Sequence, residues 1–121
     1  MRPNDGTLAI GELAERTGAS VRSLRHYEQR GLLAAERTAA GHRRFPEETV
    51  ETVRRIRMFL DGGLPLSIVA MIIPCFTAQG AGLDACVAGY LRDRLDTVEA
   101  RIDALDQQRR TLRSLRRLAL T

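Results

Sequence analysis

The chain has no lysine and no tryptophan, and its 121 residues include only two cysteines and two histidines. Two cysteines are too few for a disulfide framework, and such usage fits a cytoplasmic protein. His26 and His42 belong to no Ser-His-Asp set, and paired carboxylates, a P-loop and a dinucleotide fingerprint are missing too. Enzymatic chemistry is therefore not expected. Long apolar runs are also lacking. The longest, Leu64 to Cys75, is interrupted by Pro65, Ser67 and Pro74 and falls short of the roughly 18 residues of a membrane span. The opening residues, Met1 to Gly6, have no apolar h-region, which argues against a signal peptide. Neither an internal repeat nor a low-complexity stretch is present.

All 19 basic residues are arginine, set against 15 acidic ones, for a net charge of +4. A GC-rich coding sequence produces such a bias. The physical consequence holds whatever the cause: arginine supplies forked, bidentate donors that match phosphates and guanine edges. So small a net charge says little by itself; placement decides. The length suits one small domain plus at most an appended helix, with a core viable without staples.

Ile10, Leu13, Ala14 and Thr17 fall on one face of a first helix, after the short apolar lead Leu8-Ala9-Ile10. Gly18 is a natural helix stop, and Ser20 is the N-cap of a second helix, Val21 to Arg30, which Gly31 ends. Helix, glycine-containing turn and helix is the helix-turn-helix pattern. Leu32 to Phe45 reads as extended, with two short strands flanking the turn Thr38-Ala39-Ala40-Gly41, so the motif is winged. Arg22, Ser23, Arg25, His26 and Gln29 lie on faces of the second helix away from Leu24. Together they form a set of donors able to enter a major groove.

Pro46 sits where a third helix is expected to start, and Val50, Val53, Ile56, Phe59 and Leu60 give that helix an apolar stripe. Gly62-Gly63 stops it. A fourth helix, from about Pro65 to Ile73, is apolar on most sides and is expected to be buried. Residues 74–83 read as a loop. The segment 84–119 reads as one long amphipathic helix. Leu91, Val98, Leu105 and Leu112 recur every seven residues, with Leu95 and Ile102 at the alternate positions and Arg109 and Arg116 at the next ones. So long a stripe cannot be covered by a small head alone, and a homodimer is inferred.

Ile10-Gly11-Glu12-Leu13-Ala14, Thr17-Gly18, Ser20 to Glu28, Gly31-Leu32-Leu33 and Gly41-His42-Arg43-Arg44-Phe45 together resemble the N-terminal signature of MerR regulators. Gly63-Leu64-Pro65-Leu66 resembles that family's turn before its fourth helix. The resemblance implies a mostly α fold. A winged helix-turn-helix head with a helical connector (residues 8–73) would precede a long helix that pairs antiparallel with its partner. It also implies a dimer that binds a palindrome in an over-long promoter spacer and reshapes the DNA, so that RNA polymerase is affected indirectly. By the same resemblance Arg22 reads a base, and Arg25, Tyr27 and Arg43 mostly grip phosphate. Ser23, His26 and Arg44 complete the candidate DNA-binding set. The family usually shows two tyrosines where this chain has His26-Tyr27, and a tyrosine where it has His42, which should alter phosphate contacts without abolishing binding.

Family members usually carry an effector-binding part after the long helix, and no large drug-binding domain is expected within this chain, which reads as a short form or as a piece of a longer protein. Cys86 resembles the first cysteine of the family's metal sensors, but the later ones are missing. No metal or other cofactor is therefore expected. For Cys75 and Cys86 three readings stay open: buried structural thiols, a reversible redox pair, or a two-thiolate site for a soft monovalent ion. A coiled-coil interaction module with a vestigial DNA-binding head is the alternative for the whole chain.

Overall fold

The computed structural model describes residues 6–79 and 85–120. They form two compact units: a head, and a long helix beyond it. The head opens with strand β1 (Thr7–Leu8) and helix α1 (Ile10–Thr17). Glu12, in the first turn of α1, accepts the Ala9 N–H at 2.9 Å, so a side chain supplies the acceptor that the helix start lacks. At the other end Gly18 takes φ +79° and gives its N–H to the Ala14 carbonyl at 2.8 Å. That left-handed cap ends α1 and turns the chain. Ser20 then accepts the Ser23 N–H at 3.0 Å and starts helix α2 (Val21–Gln29).

Strands β2 (Glu36–Arg37) and β3 (Arg43–Pro46) flank the expected hairpin turn. Thr38 and His42 close it through a backbone bond of 2.9 Å. β1 adds a third strand, which shares only Leu8 with the apolar lead Leu8-Ala9-Ile10. The sheet order is β1-β3-β2, all antiparallel, with Leu8 opposite Phe45 and Glu36 opposite Arg44. Pro46 was expected to begin a helix. It instead ends β3 opposite Thr7, and helix α3 (Thr49–Asp61) starts three residues later. Proline's fixed φ suits a strand end as well as a first helical turn, so local chemistry left both open and pairing with β1 decided.

Helix α4 (Leu66–Gln79) continues through Pro74, so residues 74–79, expected as loop, are helical; residues 80–84 lie outside the described ones. A proline inside a helix costs about 3 kcal/mol. Val69, Ile72 and Ile73, just before it, are buried. Nor is α4 buried on most sides. It packs on α3 through that one face and leaves Met71 71% exposed. Apolar composition alone does not create a second partner surface.

One core holds the head together. Leu13 of α1, Leu24 of α2, Phe45 of β3, Val53 and Ile56 of α3 and Val69 of α4 are fully buried. Helix α1 packs against α2, α3 and β3. Two arginines of α3 reach the end of α1: Arg54 Nη2 donates to the Arg16 carbonyl at 3.3 Å, and Arg57 Nη1 donates to the Thr17 carbonyl. They satisfy acceptors that have no partner within α1.

The second unit is helix α5 (Ala85–Leu120), 36 residues in one stretch. At 1.5 Å per residue it is about 54 Å long. Its expected seam is present but uncovered within a single chain: Leu95, Val98, Ile102, Leu105 and Leu112 are exposed. Cys75 lies in α4 and Cys86 in α5, but their side chains are outside the described residues, as are residues 80–84 between the two helices. No helix among the described residues is long and apolar enough to cross a membrane.

Gly11 within α1 and Gly18 at its C-cap should respond oppositely to alanine. At Gly18 a Cβ would be strained by the left-handed φ and would stand 2.8 Å from Arg57 Nη1, displacing it from the Thr17 carbonyl. Gly18→Ala should cost about 1–2 kcal/mol or more. At Gly11 nothing lies within 4 Å of a Cβ, and Gly11→Ala should stabilise by about 0.5 kcal/mol. Equilibrium urea unfolding reads both signs. Equal effects would show that the turn does not depend on Gly18.

Candidate nucleic-acid interface

Helix α2 has two unlike faces. Leu24 is fully buried and Tyr27 is 6% exposed, so these two side chains pin the helix to the core. Their spacing of three residues puts them on one side. Arg22, Arg25, His26 and Gln29 point to the other side and are exposed. With Val21, Ser23 and the edge of Tyr27 they line one shallow concave surface. No carboxylate lines it. Its donors are two guanidiniums, an imidazole and an amide, the groups that read base edges and grip phosphate.

Ser23 is half-buried and busy. Its N–H and its hydroxyl are both bonded to Ser20, at 3.0 Å each, so it serves the cap first. The Ser20 hydroxyl thus holds the first turn of α2 from outside, while Leu24 holds it from inside.

The wing is tied to this helix by one ion pair. Arg43 Nη1 of β3 lies 3.6 Å from Glu28 Oε1 of α2, with the Arg43 side chain still 44% exposed. Arg43 therefore borders the α2 surface and remains open to solvent. The next residue is different. Side chains alternate across a strand, so Arg44 leaves the other face of β3. It is only 14% exposed, donates to Thr7 Oγ1 and to the Thr7 carbonyl at 3.1 Å each, and lies 3.7 Å from Glu12. Arg44, a member of the candidate binding set beside Arg43, ties β3 to β1 and lies beside Glu12 at the start of α1. The sequence shows two adjacent arginines and no sign of which one would meet Thr7.

Sequence reasoning missed Arg54 and Arg57, whose role at the end of α1 needs residues about forty positions apart to meet. It also missed Glu28 as the link from recognition helix to wing. No local signal marks either contact. The exposed Arg37 stays within the hairpin, donating to the Gly41 carbonyl at 3.0 Å.

Comparison with known proteins agrees with this architecture. The model of the MerR HTH family regulatory protein matches residues 8–74. The chain is 42% identical over 96 residues to the nodulation protein NolA of Bradyrhizobium elkanii, across 71% of this chain and 44% of that one. It thus spans less than half the length of the first curated relatives it matches. The solved N-terminal part of MtaN, the Bacillus subtilis multidrug transporter activator, superposes with a TM-score of 0.69 at 23% identity, over 87% of this chain and 93% of that one. HiNmlR, a MerR family regulator lacking the sensor domain and solved bound to promoter DNA, superposes with a TM-score of 0.62 at 24% identity, over 84% and 76%. Those two likenesses establish the fold, and with the family match over the head they lead to one conclusion: this chain belongs to the MerR family of helix-turn-helix regulatory proteins.

Proposed function

We propose that this regulator binds double-stranded promoter DNA as a homodimer and controls transcription initiation by holding the DNA in a distorted shape. The observation that carries the proposal is the α2 surface: exposed Arg22, Arg25, His26 and Gln29 on a helix anchored from behind by Leu24 and Tyr27. Such a helix enters a major groove with its donors leading. Arg22, in the first turn, is assigned to a base edge. Arg25, His26 and the wing's Arg43 are assigned to phosphates, which fix register without reading sequence. Tyr27 acts mainly by positioning α2, because most of its ring is buried.

The dimer rests on α5. Leu91, Leu95, Val98, Ile102, Leu105 and Leu112 form a stripe that one chain leaves largely uncovered, and a second copy in antiparallel orientation would bury it. Two heads on a fixed scaffold would contact two half-sites of a palindrome, and the deformation energy of the DNA between them would be met by those contacts. RNA polymerase would respond to the reshaped promoter.

Binding to genomic fragments selected by the purified protein tests the reading. Affinity should fall steeply with salt. Arg25→Ala and Arg43→Ala should weaken all sequences alike and lower the salt slope by about one per lost contact, while Arg22→Ala should lose about 1–3 kcal/mol of discrimination at one base pair. Unchanged sequence preference in Arg22→Ala would remove its base-reading role, and absence of any selected fragment would leave the coiled coil as the main business of the chain.

Arg44→Ala should behave differently from Arg43→Ala. It should lower stability by about 2 kcal/mol through its lost bonds to Thr7, whereas Arg43→Ala should melt like the parent and lose DNA affinity. Thermal melts beside a binding titration separate the two, and identical behaviour would refute the division of labour along β3. For the seam, Val98→Asp would bury a charge and should abolish dimerisation in sedimentation; a dimeric variant would place the seam elsewhere.

A further inference from the structure

One side chain on the α2 surface can make no hydrogen bond. Val21, the first residue of the helix, is half-buried and lines that surface with Arg22, Arg25 and Gln29. Apart from the edge of Tyr27, every other side chain there carries a polar group at its end. The core does not require Val21. The hydrophobic staple of a helix start joins the residue before the cap to the fourth residue after it. Here those positions are Ala19 and Leu24, and both are buried. Tyr27 anchors the next turn. Helix propensity does not ask for valine either, because a β-branched residue is a weaker helix former than alanine, glutamate or arginine.

Position and chemistry indicate what Val21 can meet. The N-terminal residues of a recognition helix are the ones that reach base edges. The Ser20 hydroxyl is spent on the Ser23 N–H, so the leading side chains are Val21 and Arg22. A guanidinium suits guanine, which presents two acceptors in the major groove. A branched apolar side chain suits the one apolar group found there, the 5-methyl of thymine. Val21 offers two methyl groups and no donor, so it gives nothing to a purine acceptor or a phosphate. Consecutive residues stand about 3.8 Å apart, close to the roughly 3.4 Å between base pairs, so Val21 and Arg22 can reach neighbouring pairs.

We propose that Val21 is a specificity residue, whose methyl groups pack on the 5-methyl of a thymine next to the base pair read by Arg22. The inference rests on the DNA-binding role proposed for α2 and adds an apolar base contact to it. Each half-site then holds a thymine beside the pair that Arg22 selects. Cytosine at that place lacks the methyl group and is the poorer fit.

Removing the thymine methyl tests it. The probes are duplexes selected from genomic fragments by the purified full chain. Each thymine of a half-site is replaced in turn by uracil, which differs only by the missing 5-methyl. One replacement, within two base pairs of the pair whose preference changes in Arg22→Ala, should weaken binding about fourfold, the size expected when one methyl group leaves an apolar contact. Val21→Ala should bind the thymine duplex with a similar loss and should no longer distinguish uracil from thymine there. Alanine is the better helix former, so the variant should keep its helix content, which circular dichroism checks. The scan of the parent chain needs no variant at all. Uracil tolerated by the parent at every thymine would overturn the proposal. So would a uracil penalty of undiminished size in Val21→Ala, or selected fragments that share no thymine at that place. Failure to select any fragment would instead overturn the DNA-binding role of α2, and this assignment with it.

Discussion

The turn between α1 and α2 is the joint on which the head depends. Gly18 supplies a left-handed residue, Thr17 and Ser20 bond the backbone on either side of it, and Arg57 reaches in from α3 to hold the Thr17 carbonyl. The angle between the two helices follows from that turn. So does the direction in which Arg22, Arg25, His26 and Gln29 point. A binding surface on a short helix is only as well placed as its first turn, and here the first turn is fixed from both sides.

Arginine does several unlike jobs in this chain, and none is evident from its abundance. Arg54 and Arg57 cap a helix, Arg44 ties two strands, Arg43 links wing to recognition helix, and Arg109 and Arg110 pair within α5. What matters for a nucleic acid is the guanidinium left open to solvent after these contacts, as Arg43 still is at 44%. On α2 such groups form one continuous surface. On α5 exposed arginines occur along the helix, Arg92 and Arg101 as well as Arg113 and Arg116. Net charge averages over these roles and so carries little of the functional content.

The head and the long helix differ in what makes them stable. The head buries a core of its own, drawn from every helix up to α4 and from β3. Helix α5 exposes its stripe along most of its length, so its burial waits on another molecule.

Much was legible in the residues alone. The caps at Gly18 and Ser20, the hairpin turn at Thr38–Gly41, the inward positions of Leu13, Leu24, Val53 and Ile56, and the seven-residue stripe of α5 all follow from local chemistry and periodicity. These signals act over a turn or two of chain, and nothing distant competes with them. Other features required parts of the chain far apart in sequence to meet. Thr7 had to lie beside β3 before Arg44 could be told from Arg43, and before Pro46 became a strand end. The sequence by itself determined where helices begin and which faces are apolar. The tertiary structure alone decided which arginine caps, which ties and which stays free, because an ion's role is set by the partner it reaches and not by its neighbours along the chain.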